Sequence, residues 1–172
     1  ISAKLFTGVS FSILLSIILS AVSFVTVMIF FGWEGGNSPI QLYLPLSIHP
    51  LTMGQVALMN FVLIMFGNIL SAVLTMLLSA KLKSSFMVIV IMTVITISPM
   101  LVNVSEDVLW IYHLSNLIPV NMFSIGNIID VFSIDLFGFI LMPYDIMLVF
   151  AIISSIVLLP FAYRSFKNHD CA

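Results

Sequence analysis

Long apolar runs separated by short polar punctuation make up most of this chain. A membrane-crossing helix takes about 20 mostly apolar residues, and four runs reach that length: 5–31, 52–80, 84–104 and 143–163. None carries Lys, Arg, Asp or Glu in its central part. Asp145 sits near the start of the fourth run, where a carboxylate suits the positive end of a helix. Pro143 ahead of it fits a first-turn position, where a missing N–H costs nothing.

The connecting segments differ in kind. Residues 32–51, "GWEGGNSPIQLYLPLSIHPL", form a turn region by their glycines and prolines. Trp33 and Tyr43 within it are residue types that favour the headgroup level. Segment 105–142 is more apolar. Its opening, "SEDVLWIYHL", offers Ser105 as a helix cap, Glu106 and Asp107 in the first turn, and then an apolar run with Trp110 and Tyr112. Further on, Ile125, Ile128, Ile129 and Phe132 recur on one face of a 3.6-residue helix, with Gly126, Asn127 and Asp130 on the opposite arc. The pattern predicts one or two short helices, broken at Pro119, that lie in the membrane interface or dip into it. A loop packed over the span ends is the competing reading. Residues 135–143, "DLFGFILMP", either lengthen the fourth span outward or form a short re-entrant piece.

Composition turns the pattern into a class. Hydrophobic residues are 62% of the chain and charged residues 7%, against roughly 25% charged in soluble domains. Such a chain cannot cover a water-facing surface, so it is an integral membrane protein. The placement of the few charges then sets a topology. Lys4 precedes the first span, Lys81 and Lys83 fill the tight link after the second, and Arg164 and Lys167 follow the fourth. These are all five basic residues, and in a four-span arrangement all fall on one side. The positive-inside rule places that side, with both termini, in the cytoplasm. A fifth crossing by 112–130 would move Arg164 and Lys167 outside and carry Pro119, Asn121 and Asn127 through hydrocarbon, where unsatisfied polar groups are expensive. The expectation is an all-α integral membrane fold: one transmembrane domain over 1–172, four helices, and short interfacial or re-entrant helices in the second outer loop.

Two polar patterns run through the spans. Gly8, Ser12, Ser16, Ser20, Ser23 and Thr26 form a continuous small-residue stripe on the first span. Small residues let helix backbones approach closely in a membrane, so the stripe predicts a packing seam, with a pathway-lining role as the alternative. The first apolar run is far longer than the 7–15 residues of a signal-peptide core. On the second span Asn60, Gly67, Asn68, Ser71, Thr75 and Ser79 fall within about a third of the helical circumference. Amides in a membrane helix usually bond across to other helices; lining a substrate path is the functional alternative. On the third span Thr93, Thr96 and Ser98 accompany Pro99, whose freed backbone groups such hydroxyls can satisfy.

The absences narrow the function. No ionisable residue lies in the interior of a span, so there is no candidate proton relay. There is no GxxxxGK[ST] phosphate loop, no Ser/His/Asp, HExxH or Cys/His cluster, and no basic patch with interleaved aromatics for nucleic acid. The histidines, His49, His113 and His169, lack metal-ligand spacing, and the single cysteine, Cys171, excludes an intramolecular disulfide. Nothing calls for a cofactor, and no catalytic residue is expected. If the protein moves a solute actively, the energy comes from another chain.

The ending "LPFAYRSFKNHD" resembles the C-termini of many Gram-positive ABC transporter permeases, which finish in a similar Arg-x-Phe-x-x-His stretch. The matching residues are Arg164, Phe166, Asn168 and His169, with Asp170 in place of the expected glutamine. The order of elements is also similar to the type-2 export class, whose long extracellular segment before the last span forms short helices. This resemblance implies that residues 1–172 match the third to sixth spans, that the chain is a fragment of a longer permease, and that the coupling helix that docks the ATPase precedes it. It implies a bacterial cytoplasmic-membrane location, a homodimer or a related permease as partner, and a separate ABC ATPase subunit. A four-span protein without transport activity, such as a bacteriocin-immunity or scaffold protein, is the other reading.

Overall fold

The computed structural model describes residues 2–31, 34–45, 47, 49–82, 84–101, 109–128, 134–136 and 138–169. Four long helices dominate it: α1 (Ser2–Phe31), α2 (Met53–Lys81), α3 (Ser85–Leu101) and, last in the chain, α6 (Pro143–His169). Between α3 and α6 lie the short helices α4 (Leu109–Asn116) and α5 (Ile125–Ile128), joined by a 3₁₀ turn at Asn121–Phe123. Two strands follow, β1 (Ile134–Leu136) and β2 (Phe139–Leu141).

Among the described residues, three helices are long and apolar enough to cross a membrane, over Phe6–Thr26, Met53–Lys81 and Pro143–Ser165. The chain is a helical membrane protein. The described part of helix α3 has 17 residues, about 25 Å at 1.5 Å per residue; residues 102–104 of the expected third span lie outside the described residues. Lys83, Trp33, the expected Ser105 cap with Glu106 and Asp107, and the continuation of α5 through Ile129, Asp130 and Phe132 lie outside the described residues.

Helix α2 is the centre of the molecule. One side packs on α6 and another on α1. Its start is fixed by a capping box: the Thr52 side chain accepts from the Gln55 N–H at 3.3 Å, and Gln55 Oε1 accepts from the Thr52 N–H at 2.9 Å. Loop 34–52 closes over that end. Ile40 is buried in the core, its N–H donates to the Leu51 carbonyl, and the Met53 N–H donates to the Ser38 carbonyl, both at 2.9 Å. Helix α6 starts as its sequence predicts. Pro143 holds the first position and Asp145 the third, where Oδ2 accepts from the Met142 N–H at 3.2 Å. The buried residues of α6, Met147, Ala151, Ser155 and Ala162, recur at intervals of four and seven and make one stripe. The core joins Val56, Leu63 and Leu70 of α2 to Met147 and Ala151 of α6 and to Met122 of the 3₁₀ turn.

That turn is the least expected contact. Pro119 stands between α4 and the turn, so the helical segment breaks there. The chain then comes back against α2 at Gly67, the middle of the helix. A Cβ on Gly67 would lie 2.8 Å from Phe123 Cε1 and 3.7 Å from Met122 Sδ. The hydrogen of glycine is what lets the turn seat. Asn121 ties the turn to α4, its Nδ2 donating to the Ser115 carbonyl at 2.8 Å. Residues 135–143 neither lengthen α6 nor form a helix. Strands β1 and β2 pair as an antiparallel hairpin, with Leu136 opposite Phe139 and Gly138 at φ 85°. A side chain is strained at that φ, and the short continuous apolar run of "DLFGFILMP" suits strands as well as a helix.

The Gly67 seat makes a signed prediction. Alanine in a helix interior normally gains about 1 kcal/mol over glycine. G67A should instead destabilise by about 1–3 kcal/mol through overpacking on Phe123, measured by reversible unfolding in detergent. In an F123A background the same change should recover most of that loss. G35A, with nothing within 4 Å of the added carbon, serves as the neutral control. An equal cost of G67A in both backgrounds removes Phe123 as its cause.

Candidate functional site

The polar side chains of α2 do not share one surface; each meets a different neighbour. Asn68 faces α1. Its Nδ2 donates to Ser16 Oγ at 2.8 Å, the Ser16 hydroxyl donates to the Ser12 carbonyl at 2.7 Å, and the Ser12 hydroxyl donates to the Asn68 carbonyl at 3.0 Å. The three bonds form a closed cycle between two apolar helices. Every donor in it finds an acceptor within the seam, and Ser16 is 2% exposed. One turn beyond Ser12 toward the start of α1, Gly8 sits against Met76, whose Cε would be 2.6 Å from a Cβ there. Since Gly8 meets Met76 and Ser16 meets Asn68, the two helices run antiparallel. Ser20 is half-buried. The side chain of Ser23 lies outside the described residues, so the small-residue stripe is a packing seam at least over Gly8–Ser16.

The neighbouring α2 residues go elsewhere. Gly67 receives Phe123. The hydroxyls of Ser71 and Thr75 donate back along their own helix, to the Gly67 carbonyl at 2.9 Å and the Ser71 carbonyl at 2.8 Å. That pattern satisfies a hydroxyl in a helix without needing a partner helix. Thr75 also lines a cleft of about 390 Å³ between α2 and α3, with Val88, Met92, Thr93, Thr96 and Ile97. Asn60 is half-buried and its Oδ1 has no hydrogen-bond partner among the described residues. The six α2 residues of the predicted arc are thus one helix seam (Asn68), one seat (Gly67), two self-satisfied hydroxyls (Ser71 and Thr75), one unpaired amide (Asn60) and one exposed serine (Ser79).

The topology-setting residues stand at the far ends. Lys81 is exposed at the end of α2, and Arg164 and Lys167 are exposed on the last turns of α6. Lys4 is in the first turn of α1, with its side chain outside the described part. Among the described residues no three His, Cys, Asp or Glu side chains come together. The residues missed in sequence are Ser155 and Asn116. Ser155 sits on a four-residue stripe whose other members are apolar, and Asn116 ends a helix of eight residues, so neither stands out by pattern.

Comparison with protein-family models, curated proteins and solved structures finds no match. The fold and the contacts above therefore carry the functional argument.

The α1–α2 cycle has a measurable worth. Interhelical bonds in membranes average about 0.6 kcal/mol and reach about 1.7. N68A removes the amide donor but keeps the backbone acceptor of Ser12, and should cost about 0.5–1.5 kcal/mol in a steric-trapping or unfolding measurement. S16A should cost a similar amount, and the N68A/S16A pair no more than about the larger single change. Additive losses would show that the two side chains do not act through each other.

Proposed function

We propose that this chain is the membrane-spanning part of a permease subunit in an ATP-driven exporter, working with a separate ATPase subunit and a second permease copy or a relative. The observation that carries the reading is the segment 109–128 that turns back to the middle of α2 at Gly67. A non-crossing helical segment seated halfway along a long apolar helix is re-entrant when that helix spans the bilayer. The resemblance of "LPFAYRSFKNHD" to permease C-termini supports the same reading. So does the clustering of basic residues at the ends of α2 and α6, which favours a cytoplasmic location for those ends. On this reading α3 is the third of four crossings, and both termini lie on the cytoplasmic side of a bacterial cell membrane. Substrate movement then uses ATP hydrolysed on the partner chain, and no residue of this chain is catalytic.

Affinity purification of the tagged full-length protein from its native membrane should bring down a nucleotide-binding subunit, and the complex should hydrolyse ATP. Recovery of the protein without any ATPase, in a membrane where its gene neighbours are expressed, would favour the non-transport four-span reading. Topology has its own check. A cysteine replacing exposed Leu42 should react with an impermeant thiol reagent from outside intact cells, and one replacing Lys81 only after the inner face is opened. The reverse pattern would invert the assigned orientation.

A further inference from the structure

Only three residues separate α2 from α3, and the two helices enclose a cleft of about 390 Å³, or about 660 Å³ with the space at its open side included. Val88, 5% exposed, lines the end nearest the link. Thr75 of α2 and Met92, Thr93, Thr96 and Ile97 of α3 line the rest. Thr93 and Ile97 are exposed, so the cleft opens outward. From Val88 to Ile97 it runs about 14 Å along α3 at 1.5 Å per residue, close to one leaflet's share of the ~30 Å hydrocarbon core.

The lining is largely apolar in what it offers. The hydroxyls of Thr75 and Thr96 donate back to the Ser71 and Met92 carbonyls, so neither presents a proton to an occupant. An empty apolar cleft forfeits dispersion contacts along its walls, and in a bilayer the occupants at hand are another helix and a lipid chain. Size decides between them. Dividing 390–660 Å³ by about 14 Å leaves a cross-section of about 28–47 Å², or about 6–8 Å across, against 10–12 Å for a helix with its side chains. A helix is too wide to enter; a single acyl chain, one methylene wide, fits.

Charge selects the headgroup. Segment 53–101 contains no Asp or Glu, and its only charged residues are Lys81 and Lys83. Lys81 ends α2 and is exposed. Val88, at the near end of the cleft, is three residues from the start of α3, about 5 Å along its axis. A cation at the end of a spanning helix, beside an apolar groove that begins within a turn of it, matches an anionic phospholipid. The phosphate meets the ammonium and one chain fills the groove. An acyl chain gains no hydrophobic energy by leaving its neighbours in the bilayer, so the cationic end decides which lipid stays. We propose that the α2–α3 cleft holds one acyl chain of an anionic phospholipid from the leaflet at the Lys81 end, with its phosphate at Lys81. The site needs α2 to cross the membrane and does not depend on the exporter reading.

The test irradiates the full chain in phosphatidylcholine nanodiscs with a trace of phosphatidylglycerol that carries a diazirine midway along one chain, and maps the adducts by mass spectrometry. Phe11 and Leu14 of α1 supply the background. They are 63% and 57% exposed and lie between Gly8 and Ser16, which meet Met76 and Asn68, so they share the depth of Thr75. Met92, Thr96 and Ile97 should carry several-fold more adduct than these two. The same diazirine on phosphatidylcholine should label both sets alike, and K81E should bring phosphatidylglycerol down to that level. T93W, which fills the cleft from an exposed position, should remove the excess and leave α1 labelling unchanged. Equal labelling of cleft and α1 by phosphatidylglycerol, equal cleft labelling by the two lipids, or an undiminished excess in K81E or T93W overturns the proposal. So does T93C in a C171S background if oxidation joins two copies there, since a second copy then covers the cleft. If the variants fail to fold, the two lipids compared on the unaltered protein decide.

Discussion

Helices in a membrane gain no hydrophobic energy by touching one another, because lipid tails are as apolar as leucine. Whatever joins them must come from closeness or from hydrogen bonds. In this protein both come from two adjacent residues at the middle of α2. Gly67 supplies closeness and admits Phe123 where a methyl group would collide. Asn68 supplies the hydrogen bonds and closes the cycle with Ser16 and Ser12. Successive residues point about 100° apart around a helix, so the pair addresses two different neighbours at once. Turning α2 by one residue, so that the amide faced the 109–128 segment, would carry the glycine a further 100° away from α1, and both contacts would fail. The rotation of the central helix is fixed by this pair, and the positions of α1 and the inserted turn follow from it.

The two contacts differ in kind as well as direction. The α1–α2 cycle is directional and local, worth about 0.6 kcal/mol per bond on average in a membrane, and it needs no help from the rest of the protein. The α2–α6 face is held instead by area, through Val56, Leu63 and Leu70 against Met147 and Ala151. The 3₁₀ turn draws on both, since Met122 enters that core while Phe123 takes the glycine seat. A segment with no long helix of its own is held by contributing side chains to a core that other helices form.

Much of this was legible before any coordinates. Uninterrupted apolar runs predict long helices directly, because length and composition decide membrane crossing. The start of α6 follows from Pro143 with Asp145. The small-residue stripe forecast the α1 seam, and Pro119 the break after α4. The hairpin at 134–141 was not legible. Apolar strands and short apolar helices look alike over so few residues, and pairing depends on Gly138, whose left-handed φ appears only in the structure. Nor could one face of α2 be resolved into separate neighbours, since a helical wheel shows which residues share an arc and not what each will meet. Ser155 and Asn116 became notable through what they lack, and a missing partner leaves no trace in a sequence.

The hydrogen bonds made to α2 also rank the parts of the molecule by how readily they can shift against it. Displacing α1 breaks two bonds across the seam together, in surroundings where water cannot replace them, so α1 and α2 should move as one body. Helix α3 has no such tie among the described residues: its Thr96 hydroxyl donates to Met92 within the same helix, and most of its described side chains are exposed. The 109–128 segment is intermediate, seated by Gly67 but flanked by the unpaired Asn60 and Asn116. Regions with few buried contacts and unsaturated polar groups are those that open first. A conformational cycle in this protein would therefore keep the α1–α2 seam closed and work through α3 and the inserted segment.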